Sequence, residues 1–113
     1  MGDPADLAAR HCVPCREGTP ALPRARAEEL LARLQPDWRL EEDGKALQRT
    51  LAFRNYHEVI AFVNALAWIA HREDHHPDLS VHYAKVVVRF STHSVGGLSD
   101  NDFICAAKLD ALL

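Results

Sequence analysis

The pattern of apolar residues predicts an α+β fold in the order α-β-β-α-β-β-α, a four-stranded antiparallel sheet with three helices on one face. Three observations carry that prediction. Leu30, Leu31 and Leu34 recur at helical spacing, as do Val59, Ile60, Phe62, Val63, Leu66, Ile69 and Ala70 further on. Leu47, Leu51 and Phe53 instead alternate with Gln48, Thr50 and Arg54 at a period of two, and Val86-Val87-Val88 is a β-branched run. Two capping patterns, Asn55 with Glu58 and Ser99 with Asp102, stand where a strand pattern gives way to a helical one.

Taken in order, residues 1–23 carry Gly2, Pro4, Pro14, Gly18, Pro20 and Pro23, a punctuation that predicts neither helix nor central strand. That stretch reads as a partly flexible N-terminal arm ahead of a domain over residues 24–113. The first helix starts near Ala25, with Glu28 and Glu29 early and Arg33 late as the helix dipole favours, and stops before Pro36. Trp38 to Glu41 supplies the first strand, Asp43-Gly44 turns the chain, and a second strand returns through Leu47 and Leu51, its apolar side interrupted by Arg49. The second helix runs from Asn55 to about Glu73. Pro77 denies it a continuation and pushes His76 out of the helical region, so His75 and His76 mark a bend. Leu79 to Ser91 divides into two strands around Tyr83-Ala84-Lys85, Gly96-Gly97 ends the second of them, and Phe103, Ile104, Ala106, Ala107 and Leu109 form the third helix.

At 113 residues the chain has room for one core. Its 48% hydrophobic and 26% charged residues place it with folded globular proteins rather than disordered or membrane chains. A net charge of −3 removes the electrostatic reason for binding nucleic acid. The opening MGDPADLAAR holds no apolar stretch for a signal or anchor, so a cytoplasmic location without membrane attachment is expected. Cys12, Cys15 and Cys105 are an odd set, which argues for reduced thiols. Of the seven histidines, five fall between His71 and His93, and the chemistry is sought there.

That stretch contains Asp74-His75-His76-Pro77, Tyr83 six positions after the proline, Ser91-Thr92-His93, and Gly97-Leu98-Ser99 followed by Asp102. As an ordered set it resembles the pterin-4a-carbinolamine dehydratase family, over roughly residues 25–113, with Trp38 in the place of the family's tryptophan at the first strand. The resemblance implies catalytic roles for His75, His76 and His93, and substrate-binding roles for Asp74, Pro77, Thr92, Asp102 and Trp38. It implies no metal and no cofactor, the pterin being the substrate. It also implies a homodimer or homotetramer and a pathway shared with a pterin-dependent aromatic amino acid hydroxylase. The expected reaction is loss of water from a 4a-hydroxytetrahydropterin to give the quinonoid dihydropterin, in tetrahydrobiopterin-type cofactor recycling. Imidazole suits it, because near neutral pH it both gives and takes protons. In that scheme His75 and His93 share the acid and base roles while His76 orients the pterin, and the helix C-terminus favours an acid among the pair at the bend. Three positions depart from the family: His71 where an acid is frequent, Leu79 for an aromatic, and Asn101 at a commonly basic position.

Other readings of the same residues stand beside this one. His71 and His75 are four apart, as zinc ligands are on a helix, but Arg72 occupies the place of the usual glutamate. His11-Cys12-Val13-Pro14-Cys15 has the two-residue gap of zinc and redox motifs without a second pair. A large aromatic at a strand start, such as Trp38, is more often core than pocket wall. His57 and His82 receive no role. The alternative function is a non-catalytic interaction, dimerisation or assembly factor on the same fold.

Overall fold

The computed structural model describes residues 4–16 and 18–113; Gly2, part of the arm's punctuation, lies outside them. Four strands, β1 (Arg39–Leu40), β2 (Leu47–Ala52), β3 (Asp78–Val81) and β4 (Lys85–Phe90), form one antiparallel sheet in the order β1-β2-β4-β3. The period-two pattern sets the register. Leu47 pairs with Phe90 and Leu51 with Val86, so the buried residues of both central strands fall on one face. The opposite face, with Gln48, Thr50, Val87 and Arg89, is half-buried or exposed.

Three helices fill the buried side: α2 (Arg24–Leu31), α3 (Tyr56–Glu73) and α4 (Asp100–Asp110), preceded by a short α1 (Pro4–Ala8). Ala27 and Leu30 of α2, Val59, Phe62 and Leu66 of α3, and Phe103, Ile104 and Leu109 of α4 meet the sheet in one cluster. From α2 onward the regular helices and strands follow the α-β-β-α-β-β-α order, with α1 added ahead of it. Asn55 caps α3 as its pattern predicts, its side chain accepting the Glu58 N–H at 3.0 Å. Arg49, which breaks the apolar side of β2, is drawn inward by the carboxylate of Asp110 at the end of α4.

The arm departs from its expectation. Residues 4–8 form the helix α1, which packs on α4 and buries Leu7 to 1% exposure. The prolines do not prevent this. Pro4 sits at the first helical position, where its missing N–H would have had no partner, and the next proline is ten residues on. Further along, Leu22 N–H donates to the Leu98 carbonyl at 2.8 Å. There the chain passes so close to Gly97 that a Cβ on that glycine would stand 3.0 Å from Ala21 Cβ. A side chain at Gly97 would force the Ala21 segment to give way.

Candidate active site

The second helix ends on a left-handed residue, Asp74, at φ 52° and ψ 43°. Aspartate tolerates this conformation better than most side chains. The turn lets His75 N–H donate back to the Ala70 carbonyl at 3.1 Å and swings its side chain off the helix axis. His75 lies parallel to the ring of Phe90, centroids 6.1 Å apart and planes at 9°. Across the sheet end, β4 stops at Phe90, Thr92 bridges to Gly97, and a 3-10 helix over His93–Val95 follows.

These two chain segments line one cavity of about 520 Å³, bounded by Asp74, His75, His76, Thr92 and His93 among others. His75 is largely enclosed, its side chain 12% exposed, whereas His76 and His93 are open to solvent. His75 Nε2 donates to Asp102 Oδ1 at 2.6 Å; since a carboxylate only accepts, Nε2 carries a proton and Nδ1 is the nitrogen left for exchange. In His76 the polarity is opposite. Nδ1 donates to the Pro77 carbonyl at 3.2 Å, which leaves Nε2.

Asp102 is wholly buried and does not border the cavity; it acts behind His75. Its Oδ2 accepts the Thr92 hydroxyl at 2.7 Å and the Ser99 N–H at 3.0 Å. With Thr92 donating to Asp102, Ser99 Oγ donates to Thr92 at 2.7 Å, so this chain of hydrogen bonds ends on the Asp102 carboxylate, into which His75 donates from the other side. The carboxylate that completes the capping box of α4 therefore also fixes an imidazole, and Thr92 both lines the cavity and holds that carboxylate. Of the other residues marked in the sequence, Asp74 borders the cavity, and Pro77 borders an adjacent hollow with His75 and His76.

Trp38 is not brought to the cavity. It is 3% exposed, packs against Phe90 at 6.1 Å between ring centroids, and donates Nε1–H to Asp110 at 2.8 Å. A core position with a carboxylate for its one polar atom accounts for the tryptophan without substrate. His71 does not join His75 as a ligand either; its ring lies beside Trp68, 5.4 Å between centroids. Among the described residues no group of three or more His, Cys, Asp and Glu side chains is arranged to hold a metal ion.

Asp78, Arg89 and Ser94 also line the cavity and lie outside the sequence motif, while Ser91 lines it from within the motif without an assigned role. The signal for two of them is register: Asp78 faces Arg89 across the strand pair, on the sheet face away from the core. Arg89 is held by Glu41 through bonds of 2.7 and 3.1 Å, and that pairing pushes its guanidinium above its ordinary value.

The arm meets the site from the other side. Cys12, Val13 and Cys15 border a cavity of about 430 Å³ that shares Asp74, His75, Thr92 and Ser94 with the first. Asn101 clamps the arm's backbone, its Oδ1 accepting Val13 N–H at 3.1 Å and its Nδ2 donating to the Val13 carbonyl at 2.7 Å. Glu73 accepts the Cys12 N–H at 2.7 Å and the His11 ring at 3.0 Å. Burial works to raise the Glu73 carboxyl, but the Cys12 N–H, His11 and Lys108 together hold it below its ordinary value. Asn101 is thus explained by a partner 88 positions away.

Comparison with known proteins bears on the family and the fold. Residues 20–112 match the family model described as pterin 4 alpha carbinolamine dehydratase. The chain is 61% identical over 112 residues to a "putative pterin-4-alpha-carbinolamine dehydratase" of Stenotrophomonas maltophilia strain K279a, covering 99% of this chain and 96% of that protein. A protein of the same name from Xanthomonas campestris pv. campestris strain B100 is 59% identical over 108 residues, 96% of this chain and 91% of that one. Among solved structures, the transcriptional coactivator/pterin dehydratase from Brucella melitensis superposes with a TM-score of 0.77 at 28% identity, over 81% of this chain and 97% of that one. A pterin dehydratase-like RuBisCO assembly factor of the alpha-carboxysome gives 0.58 at 25% identity, over 67% and 88%. With the family model spanning the whole sheet, all three large helices and both histidine-bearing segments, the chain belongs to the pterin-4a-carbinolamine dehydratase family.

Proposed function

We propose that the protein dehydrates a 4a-hydroxytetrahydropterin to the quinonoid dihydropterin by histidine acid/base catalysis, as a hydro-lyase in tetrahydrobiopterin-type recycling. The observation that carries this reading is the convergence of His75, His76 and His93 on one cavity. Hydroxide leaves C4a as a proton leaves N5, so one group protonates the departing oxygen while another accepts the nitrogen's proton, and water is the only by-product. Nothing is oxidised, and no redox cofactor is needed. His75 and His93 hold the two proton-transfer roles. Asp102 fixes the His75 tautomer so that Nδ1 exchanges protons, a positioning role rather than a catalytic one. His76, with Nε2 outward, orients the pterin, and Asp74 and Thr92 border it.

Stopped-flow ultraviolet absorbance of carbinolamine breakdown tests this. His75→Ala and His93→Ala are each expected to lower the catalysed rate by about 10²- to 10⁴-fold. Wild-type rates in both variants would exclude the assignment.

The protein is further proposed to work as a homodimer or homotetramer in the cytoplasm, supplying a pterin-dependent aromatic amino acid hydroxylase. Strand β3 supports self-association, since all four of its residues are exposed at a sheet edge. No helix among the described residues is long and apolar enough to cross a membrane. The coactivator and assembly roles named for the two solved structures favour a second reading, an interaction protein on this fold, and Trp68 at 62% exposure on α3 offers it an apolar contact. Absence of turnover together with a stable partner complex would select that reading.

A further inference from the structure

Two of the thiols lie where the dehydration has no use for them. Cys12 Sγ stands 3.5 Å from Cys105 Sγ, although 93 positions separate them in the chain. A disulfide has its sulfurs about 2.05 Å apart, so the pair needs an approach of about 1.5 Å. Hydrogen bonds on either side of Cys12 hold it at this distance. Its own N–H is fixed by Glu73, and the next residue, Val13, is clamped at both backbone groups by Asn101. Asn101 and Cys105 are four apart on α4 and so share a helix face, which makes the clamp and the thiol contact one continuous surface. Cys15 is differently placed: its sulfur accepts from Asn101 Nδ2 at 3.6 Å.

We infer that Cys12 and Cys105 are a redox-modification site, forming a reversible disulfide that locks the arm onto α4 beside the histidine cavity, with a hydroperoxide as the oxidant. Cys12 is half-buried and borders the cavity of about 430 Å³ whereas Cys105 is buried, so of the pair it is the sulfur an oxidant reaches. Its thiolate attacks the outer peroxide oxygen, the O–O bond breaks, and a sulfenic acid forms as the alcohol or water departs. The Cys105 sulfur then attacks the sulfenic sulfur. The S–O bond breaks, hydroxide leaves with the Cys105 proton as water, and the S–S bond closes. Two thiols are oxidised and one peroxide is reduced. The burial of Cys105 sets this order, and contact with Cys12 together with that burial pushes its thiol up.

The test needs no turnover. The full chain, reduced and freed of reductant, is treated with stoichiometric hydrogen peroxide, its remaining thiols are alkylated, and it is digested without reductant for peptide mass mapping. The expected result is loss of two hydrogens, a crosslinked Cys12–Cys105 peptide pair reversed by dithiothreitol, and alkylation at Cys15 alone. Cys15→Ser should keep the link, and Cys12→Ser should abolish it. The Cys12 variant lies on the arm and leaves the core intact, so it decides the matter even if Cys105→Ala fails to fold. A link between Cys12 and Cys15, a link between two copies, or sulfinic acid at Cys12 with Cys105 still alkylatable would each overturn the inference.

Discussion

Among the described residues every partner of the Asp102 carboxylate is a donor: His75 Nε2–H on one oxygen, and the Thr92 hydroxyl with the Ser99 N–H on the other. An amide at this position keeps one oxygen but turns its NH₂ toward one donor set. Asp102→Asn that retains Thr92 and Ser99 therefore presents NH₂ to His75, which must move its proton to Nδ1 to accept it. The nitrogen assigned to the substrate is then already protonated. The expected outcome is a marked fall in turnover with a displaced pH–rate profile, and a stability loss of about 1.5–3 kcal/mol in urea, as for other hydrogen bonds to charged groups. A stability loss with an unmoved pH–rate profile would reduce Asp102 to a structural cap. Trp38→Phe probes the opposite case. It removes the bond to the Asp110 carboxylate at a cost of about 1.5–3 kcal/mol while turnover stays at the wild-type level. A raised KM in that variant would return Trp38 to the pocket. At this scale the sequence is informative about residue type and silent about function: the Ser99–Asp102 spacing announces a helix cap, and only the fold shows that the same carboxylate reaches His75.

The elements were legible to the extent that their cause is local. The 3.6 and 2.0 periodicities and the Asn55 cap place α3, β2 and β4 to within a residue or two, because side-chain burial on one face writes itself into the sequence. The arm is unlegible for the converse reason. Its partners, Glu73, Asn101 and Lys108, come from α3 and α4, and no local pattern carries them. Its docking should depend on pH. The folded-state value of Glu73 is lowered from an ordinary 4.5, so the unfolded chain binds that proton more tightly. The contribution is present in full above about 4.5 and is lost as pH falls through the lower folded value. Amide exchange at Cys12 and Val13 is expected to accelerate across that acid window while the protection of β4 persists; equal acceleration in both would show global unfolding instead. Asn101→Ala should loosen the same two amides at neutral pH.

For the whole molecule, the edge of the sheet is the unresolved boundary. β3 presents Leu79 at 37% and Val81 at 42% exposure, beside Tyr83 at 68%, and a strand of this kind seeks another to pair with. Light scattering at micromolar concentration is expected to give a dimer or larger, and Val81→Lys, which charges the edge, is expected to give a monomer. A monomeric wild-type protein would contradict the assembly. The sequence could predict an edge strand but not its position, since the β1-β2-β4-β3 order depends on pairings between distant segments.

The attachment of the arm to α4 also orders events in time. On the ribosome Val13 is made 88 residues before Asn101, and His75 is made 27 before Asp102. Until α4 has emerged, the nascent chain has neither a dock for its beginning nor a carboxylate for its enclosed imidazole. The strands and α3 can gather earlier. Competence for chemistry and retention of the arm should therefore be acquired together, once α4 has been made.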